Sequence, residues 1–261
     1  MRASWQERFA ETSDVLKSSQ HQQTVVRVLD LEIGGSDFIT MAGPCSVETE
    51  QQILSIAHHV CAQGVQVLRG GAFKPRSSPY AFQGLGLAGL KLLAKAREET
   101  GLAIVTEVMS EDDVSLVAEY ADILQIGSRS MENLTLIEAA AKSGKPLLLK
   151  RGMMAAVDDL LRSAQIALTA GNPNVILCER GIRTFDTTLR NTFDPAAITA
   201  RVETNGNSEF LRLGKSAANN GQIGSFSTTV TRSCDNKQSR VAPRERSRRT
   251  CRFVVGRSLS R

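Results

Sequence analysis

The sequence lacks the cysteine spacing of a disulfide-stabilised or zinc-ribbon protein. Its five cysteines are odd in number and widely separated, and no two of them form a C-x-x-C pair: Cys45, Cys61, Cys178, Cys234 and Cys251. Disulfide frameworks and zinc ribbons need paired cysteines at short spacings, so this pattern excludes both classes. We therefore expect a protein of a reducing compartment, and the cytoplasm is the simplest such location.

Long apolar runs are also missing. The first residues, MRASWQERFAETSD, contain no apolar core of signal-peptide length. A run of about 18 apolar residues, the length that a membrane span needs, occurs nowhere in the chain. The sequence therefore predicts neither export nor membrane insertion. Its 261 residues are 41% hydrophobic and 23% charged, which is typical of a soluble globular protein with one large α/β domain or two small ones.

The positive charge is confined to the last part of the chain. Residues 203–261 contain 12 Lys and Arg against 4 Asp and Glu, whereas residues 1–202 contain 20 against 23. Because the basic part is rich in Ser, Arg, Asn, Thr and Gly, we expect 204–261 to be a disordered or non-native tail. Nucleic-acid binding is an alternative, but the only aromatic residues there are Phe210, Phe226 and Phe253, and no known module is recognisable.

Between residues 24 and 202, short apolar runs alternate with longer stretches of helical spacing. A hairpin is predicted at 24–33, and buried strands at 38–43, 65–71, 103–108, 122–127, 145–152 and 174–181. Helices are predicted at 48–63, 86–99, 110–120, 131–142, 157–170 and 195–202, with Ser110 as an N-cap. Apolar strands separated by helices indicate a parallel sheet covered on both faces. The regular spacing favours a TIM-type (β/α)8 barrel with six recognisable units over a doubly wound open sheet.

Polar side chains follow the predicted strands at the end where barrel enzymes build their active sites. They are Cys45, Arg69, Lys74, Glu107, Arg129, Lys150, Arg151, Glu179, Arg180 and Arg183. A single arginine past a strand end is usually a solvated loop charge, and a lone cysteine there is usually a core residue. Cations from several strand ends around one rim repel one another unless an anion lies between them. The pattern therefore favours a small substrate with phosphate and carboxylate groups.

Six motifs in fixed order carry a family resemblance. They are AGPCSVE (42–48), LRGGAFKPRSSPYAFQGLG (68–86), TEVM (106–109), DILQIGSRSMEN (122–133), LLLKRG (147–152) and NVILCERGIRTFDTTLRNT (174–192). This set resembles the 3-deoxy-D-arabino-heptulosonate 7-phosphate (DAHP) synthases, in their smaller bacterial type I form. The resemblance implies an aldol-type condensation of phosphoenolpyruvate with erythrose 4-phosphate, which gives DAHP and phosphate at the first step of the shikimate pathway. The related 3-deoxy-octulosonate 8-phosphate synthases are an alternative, although the K-P-R-S loop at 74–77 favours the heptulosonate enzymes.

The resemblance also implies a role for each matching residue. The phosphoenolpyruvate ligands are expected to be Arg69 and Lys150 at the carboxylate, and Arg129, Arg180 and the backbone N–H of Ser128 at the phosphate. Lys74 is expected to lie between the two substrates as a proton donor, and Glu107 to position a water or a cationic side chain. Erythrose 4-phosphate is expected to bind at Pro75, Arg76 and Ser77.

The metal site that the family resemblance implies is incomplete. These enzymes use a divalent metal (Mn²⁺, Fe²⁺, Co²⁺ or Zn²⁺) held by a cysteine, a histidine, a glutamate and an aspartate. Cys45 matches the cysteine, but the D-P-S-H and E-V-H motifs of the other ligands do not occur, and the only histidines are His21, His58 and His59. Tight metal binding is therefore not expected.

The resemblance also implies an oligomeric state, since the family is usually homo-oligomeric.

The motifs stop near residue 203, where the seventh barrel strand should begin. We therefore expect an N-terminal extension at 1–23, a partial barrel at 24–203, and a tail at 204–261 that results from truncation, a shifted reading frame or a fused foreign end. An open six-stranded barrel would leave its first and sixth strands as exposed edges. The alternative to an active synthase is an inactive remnant that keeps only an anion pocket.

Overall fold

The computed structural model describes residues 24–74, 80–186, 188–195 and 197, together with 210–215 and 227–231. The extension predicted at 1–23 lies outside these residues, as does most of the helix predicted at 195–202. The strands are β1 (Val26–Val28), β2 (Leu31–Ile33), β3 (Thr40–Ala42), β4 (Val67–Arg69), β5 (Ala103–Val108), β6 (Ile123–Ile126), β7 (Leu147–Lys150), β8 (Val175–Glu179), β9 (Phe210–Lys215) and β10 (Ser227–Thr231). The helices are α1 (Glu50–Ala62), α2 (Leu87–Thr100), α3 (Val114–Tyr120), α4 (Leu134–Lys142) and α5 (Val157–Thr169).

The predicted barrel is confirmed. Strands β3 to β8 pair in chain order, each parallel to the next. Every residue of β5 and β8 is buried, as expected for parallel strands that are covered on both faces. The six strands form part of a closed barrel, which excludes the doubly wound open sheet.

Alternation along the strands separates two apolar layers. Side chains such as Leu68, Ile104 and Leu124 are buried in the core that includes the helices. Their strand neighbours belong to a second core: Met41, Val67, Ala103, Val105, Ile123, Leu148, Ile176 and Cys178. Because successive residues of a strand point to opposite faces, this second core fills the inside of the barrel.

The N-terminal hairpin is confirmed and closes one end of the barrel. Strands β1 and β2 pair antiparallel, with Val26 opposite Ile33. Both residues pack in the inner core with Val67 and Ala103, which begin their strands. The hairpin therefore covers the amino end, which leaves the carboxyl ends of the strands as the place for a site.

The N-cap predicted at Ser110 is wrong, and the helix predicted from residue 131 begins at Leu134. Helix α1 begins after Thr49, whose hydroxyl accepts a hydrogen bond from the backbone N–H of Gln52. Helix α3 begins after Asp113, not after Ser110. The Ser110 hydroxyl donates instead to the Asp113 carboxylate at 2.6 Å, which holds a turn before the helix. Because this hydroxyl is bonded to a side chain, it does not cap a backbone N–H at the start of the helix.

Two segments of the predicted tail form strands, contrary to the expected disorder and open edges. Strand β9 pairs parallel with β8, and β10 pairs antiparallel with both β9 and β3. The eight strands therefore close without exposed edges at β3 and β8. The physical reason is that unpaired edges offer backbone donors and acceptors, and the segments FLRLGK and STTVT have alternating or β-branched residues suited to pair with them.

No helix among the described residues is long and apolar enough to cross a membrane.

Candidate active site

Polar residues continue the inner face of the strands at the carboxyl end of the barrel. Arg69, Glu107, Gln125 and Lys150 each follow an inner-core residue by two positions. Alternation therefore turns them toward the inside, above the apolar layer. Glu107 aligns with Gln125 across β5 and β6, and Lys150 aligns with Cys178 across β7 and β8.

Lys74 lies against Cys45. The Lys74 ammonium donates to the Cys45 carbonyl oxygen at 2.6 Å and lies 3.3 Å from the Cys45 sulfur. Arg69 donates to the neighbouring carbonyl of Pro44 at 2.9 Å. Gly71 makes room for this arrangement, since a Cβ there would lie 2.9 Å from Lys74 Cδ and 3.0 Å from the Cys45 carbonyl oxygen. Arg69 at the end of β4 and Lys74 in the loop after it thereby both bind the loop after β3.

The two cations change the acidity of the Cys45 thiol. Burial raises its pKa, but the charge of Lys74, followed by that of Arg69 and by hydrogen bonds from both, outweighs burial and lowers the pKa to about 7. Cys45 is therefore largely thiolate above neutral pH.

Lys150 is the centre of a second group of charges. Burial, together with the positive charges of Arg69 and Arg180, lowers its pKa to about 8, while the Glu107 carboxylate acts in the opposite sense. Burial likewise raises the pKa of Cys178 to about 12, so this thiol stays protonated. Arg69, Lys74, Lys150 and Arg180 are called the cationic cluster below.

Glu107 is held in one position. It is buried, and its Oε2 accepts a hydrogen bond from Gln125 Nε2 at 3.2 Å. A Cβ at Gly127 would lie 1.9 Å from Glu107 Oε1, so only glycine leaves room for the carboxylate there. The carboxylate thus lies beside the cationic cluster and acts on the pKa of Lys150.

The predicted phosphate ligands lie at the ends of β6 and β8. The hydroxyl of Ser128 is buried and has no hydrogen-bond partner in the structure. Arg129 is exposed in the same loop. Burial, together with the charge of Arg190, lowers the pKa of Arg180. A bound anion could accept a hydrogen bond from the Ser128 hydroxyl, and it would reduce the repulsion between Arg180 and Arg190.

Two charges expected at the rim lie elsewhere. Arg151 and Glu179 are buried against each other, with Arg151 Nη1 2.8 Å from Glu179 Oε2. Strand alternation explains the difference, because each is the chain neighbour of an inward-facing cation and so points outward. Arg183 is exposed in the segment after β8. The predicted erythrose 4-phosphate ligands Pro75, Arg76 and Ser77 lie outside the described residues.

The described residues do not fit the divalent metal that the resemblance implies. No group of three or more His, Cys, Asp and Glu side chains that could hold a metal ion occurs in the described part of the chain. The sulfur of Cys45 contacts Lys74, and the described histidines lie on α1, where His58 contacts Glu99 at 2.9 Å. Cys45 is therefore a metal ligand by motif only.

Sequence reasoning missed Gln125 as a site residue. The one visible signal was Gln125 itself, a polar residue in the otherwise apolar strand DILQIG. Gly71 in LRGG and Gly127 in QIG are consistent from sequence with close approach of a ligand, and equally with ordinary bends after a strand. The two glycines matter through the space that they leave for Lys74 and Glu107, which depends on contacts between different strands and loops.

Two curated proteins match more than half of this sequence. The chain is 49% identical over 177 residues to a phospho-2-dehydro-3-deoxyheptonate aldolase of Thermotoga maritima, covering 68% of this chain and 52% of that protein. It is 38% identical over 151 residues to a 2-dehydro-3-deoxyphosphooctonate aldolase of Acidithiobacillus ferrooxidans, covering 55% and 54%. The chain thus spans about half the length of these relatives.

Solved structures agree with the sequence matches. The crystal structure of the Thermotoga maritima DAHP synthase superposes with a TM-score of 0.69 at 44% identity, over 73% of this chain and 55% of that one. A truncated form of the enzyme from the same organism superposes with a TM-score of 0.70 at 41% identity, over 77% and 73%. The model of the DAHP synthetase I family matches residues 15–209, three quarters of the sequence, and the chain therefore belongs to that family.

Proposed function

We propose that this chain binds phosphoenolpyruvate in the cationic cluster and condenses it with erythrose 4-phosphate to give DAHP and phosphate. The observation that carries the proposal is the placement of four cations at the carboxyl end of the barrel: Arg69 and Arg180 both act on Lys150, and Arg69 and Lys74 both act on Cys45. Lys150 is repelled by Arg69 and Arg180, and a small ligand with more than one negative charge would stabilise such a group of cations.

The proposed binding mode follows from which cations lie together. The carboxylate of phosphoenolpyruvate is assigned to Arg69 and Lys150, whose charges interact. Its phosphate is assigned to Arg180 and Arg129, with the backbone N–H of Ser128. Arginine suits both groups because its guanidinium donates two parallel hydrogen bonds to a pair of oxygens.

Lys74 is the proposed proton donor. In the condensation, C3 of the enol forms a bond to the aldehyde carbon, and the aldehyde oxygen takes a proton from the Lys74 ammonium. Water then adds at C2 and phosphate leaves. Burial of Lys74 beside the Cys45 carbonyl holds its ammonium in a fixed place, which general acid catalysis requires. Glu107 is assigned to orient the water, since its carboxylate is fixed by Gln125 and by the space over Gly127.

The four-carbon aldehyde is favoured over the five-carbon substrate of the octulosonate enzymes. Identity to the deoxyheptonate aldolase is 49%, against 38% to the deoxyphosphooctonate aldolase. The K-P-R-S sequence at 74–77 supports the same choice, because the heptulosonate enzymes have this version of the loop.

An inactive remnant is the second candidate. Family membership implies a divalent metal in general, yet among the described residues only Cys45 stands at a predicted ligand position. A chain of this kind would bind phosphoenolpyruvate without turning it over.

Phosphate release from phosphoenolpyruvate, with and without erythrose 4-phosphate and Mn²⁺, tests the proposal. We expect release that depends on the aldehyde and is lost in Lys74→Ala. Lys91→Ala, which removes an exposed lysine of α2, is the matched control and should keep full activity. Binding of phosphoenolpyruvate without turnover would support the remnant, and no binding would contradict both candidates.

A further inference from the structure

We infer that Arg151 and Glu179 form a positioning pair that fixes Lys150 and Arg180 within the cationic cluster. The inference rests on the proposed function, in which these two cations bind phosphoenolpyruvate. Neither member of the pair belongs to the cluster itself.

The pair joins the two strand ends that carry the cations. Arg151 follows Lys150 at the end of β7, and Glu179 precedes Arg180 at the end of β8. Arg151 Nη1 lies 2.8 Å from Glu179 Oε2, and their side chains are only 7% and 0% exposed. The backbone N–H of Arg151 also donates to the Cys178 carbonyl at 3.0 Å. A shift of either residue would therefore move its neighbouring cation.

Further contacts tie the pair to the segments on both sides. Arg151 Nε donates to the Ala155 carbonyl at 2.9 Å, and its Nη1 contacts Asp194 Oδ2 at 2.8 Å. The other oxygen of Glu179 accepts from the backbone N–H of Gly181 at 2.6 Å. The pair thus connects the loop before α5 with the turn that follows Arg180.

A role in positioning explains why such charges are buried. An ion pair taken out of water is seldom more stabilising than well-packed apolar side chains of the same volume. Lys150 and Arg180 repel each other, since the charge of Arg180 lowers the pKa of Lys150. Two like charges stay close only if the backbone holds them there, and the buried pair behind the sheet supplies that restraint.

The test uses Glu179→Gln, which keeps the size of the side chain, and Arg151→Lys, which keeps the charge. The control is Asp122→Asn, which removes a different arginine–carboxylate ion pair, that of Arg97 and Asp122 at 3.0 Å, next to the amino end of β6. Two quantities are measured well below each variant's unfolding temperature: the dissociation constant for phosphoenolpyruvate, by calorimetry, and amide hydrogen exchange in the ligand-free chain.

We expect Glu179→Gln to weaken phosphoenolpyruvate binding at least tenfold and to speed exchange in residues 179–186. Arg151→Lys should weaken binding less than Glu179→Gln does, and Asp122→Asn should lower the unfolding temperature without changing either quantity. Equal affinity and equal exchange in wild type and Glu179→Gln would overturn the inference. If the wild-type chain binds no phosphoenolpyruvate, the proposed function fails, and the exchange measurement still decides whether the pair holds the two strand ends.

Discussion

Lys74 Nζ lies 2.6 Å from the carbonyl oxygen of Cys45 and 3.3 Å from its sulfur, so one ammonium contacts both polar groups of that residue. The contact links the loop after β3 to the loop after β4. Cys45 is also the one predicted metal ligand among the described residues, and its sulfur contacts the cationic side chain of Lys74.

The first prediction concerns the reactivity of Cys45. Because Lys74 and Arg69 hold the thiol pKa at about 7 against the effect of burial, alkylation of Cys45 by iodoacetamide should rise with pH and reach half its maximum near pH 7. Lys74→Gln removes the largest favourable charge, so the midpoint should move to higher pH. Mass spectrometry of the Cys45 peptide measures the rate, with the buried Cys178 as an unreactive internal control. An unchanged midpoint in Lys74→Gln would contradict the electrostatic account.

The second prediction concerns the pH dependence of ligand binding. Lys150 must be charged to bind a carboxylate, and burial lowers its pKa to about 8 in the free chain. The second pKa of a phosphate monoester lies near 6, so the group is mostly doubly ionised at pH 7 and above. Affinity for phosphoenolpyruvate should therefore be level between neutrality and pH 8, and then fall by up to about tenfold per pH unit.

Titration calorimetry in a Cys45→Ser background measures this profile without the second titrating group. Lys150→Met should bind more weakly and show no fall above pH 8. A wild-type profile that stays flat through this range, or the same fall in Lys150→Met, would rule out Lys150 as a ligand.

The third prediction concerns the space over Gly127. Alanine at this position would place its Cβ 1.9 Å from Glu107 Oε1, so Glu107 must move out of its buried place. We expect Gly127→Ala to lower the free energy of unfolding by about 1–3 kcal/mol, as overpacked cores do. Urea denaturation measures the change.

The double variant Gly127→Ala with Glu107→Ala supplies the control, because it removes the colliding carboxylate. It should be no less stable than Glu107→Ala alone. If Gly127→Ala costs the same in both backgrounds, the collision with Glu107 is not its cause.

The fourth prediction concerns closure of the barrel by the tail. Strands β9 and β10 cover the edges of β8 and β3. Deletion of residues 204–261 exposes both edges, and we expect loss of cooperative unfolding together with aggregation. Deletion of residues 232–261 alone keeps both strands and should leave the thermal transition intact. Equal melting of the two deletion variants would show that the strands contribute nothing to the barrel.

The barrel could be predicted because its signals are local. Apolar runs such as AIVTEV and DILQIG mark buried strands, and the breaks between them give the regular βα spacing. Strands β9 and β10 escaped prediction because the composition of 204–261 as a whole is that of a disordered segment, while FLRLGK and STTVT are too short to change that average. They form strands by pairing with the edges of β8 and β3, which a reading of the local sequence does not show.

The site was predicted in outline from the polar residues at strand ends and from the family motifs. Their assignment to one rim failed for Arg151 and Glu179, because a shift of one residue along a strand turns a side chain to the other face. The strand ends could not be located that finely from sequence, since Lys150 and Arg151 are both cationic and adjacent.

Phosphoenolpyruvate binding to the full 261-residue chain is the most direct test of the cationic cluster. Calorimetry should show saturable binding by the wild type, weakened at least about tenfold in Arg69→Met because a charged partner is lost. Arg162→Met, which removes an exposed arginine on α5, should leave the affinity unchanged. Wild-type binding that Arg69→Met does not weaken, or no binding at all, would contradict the account.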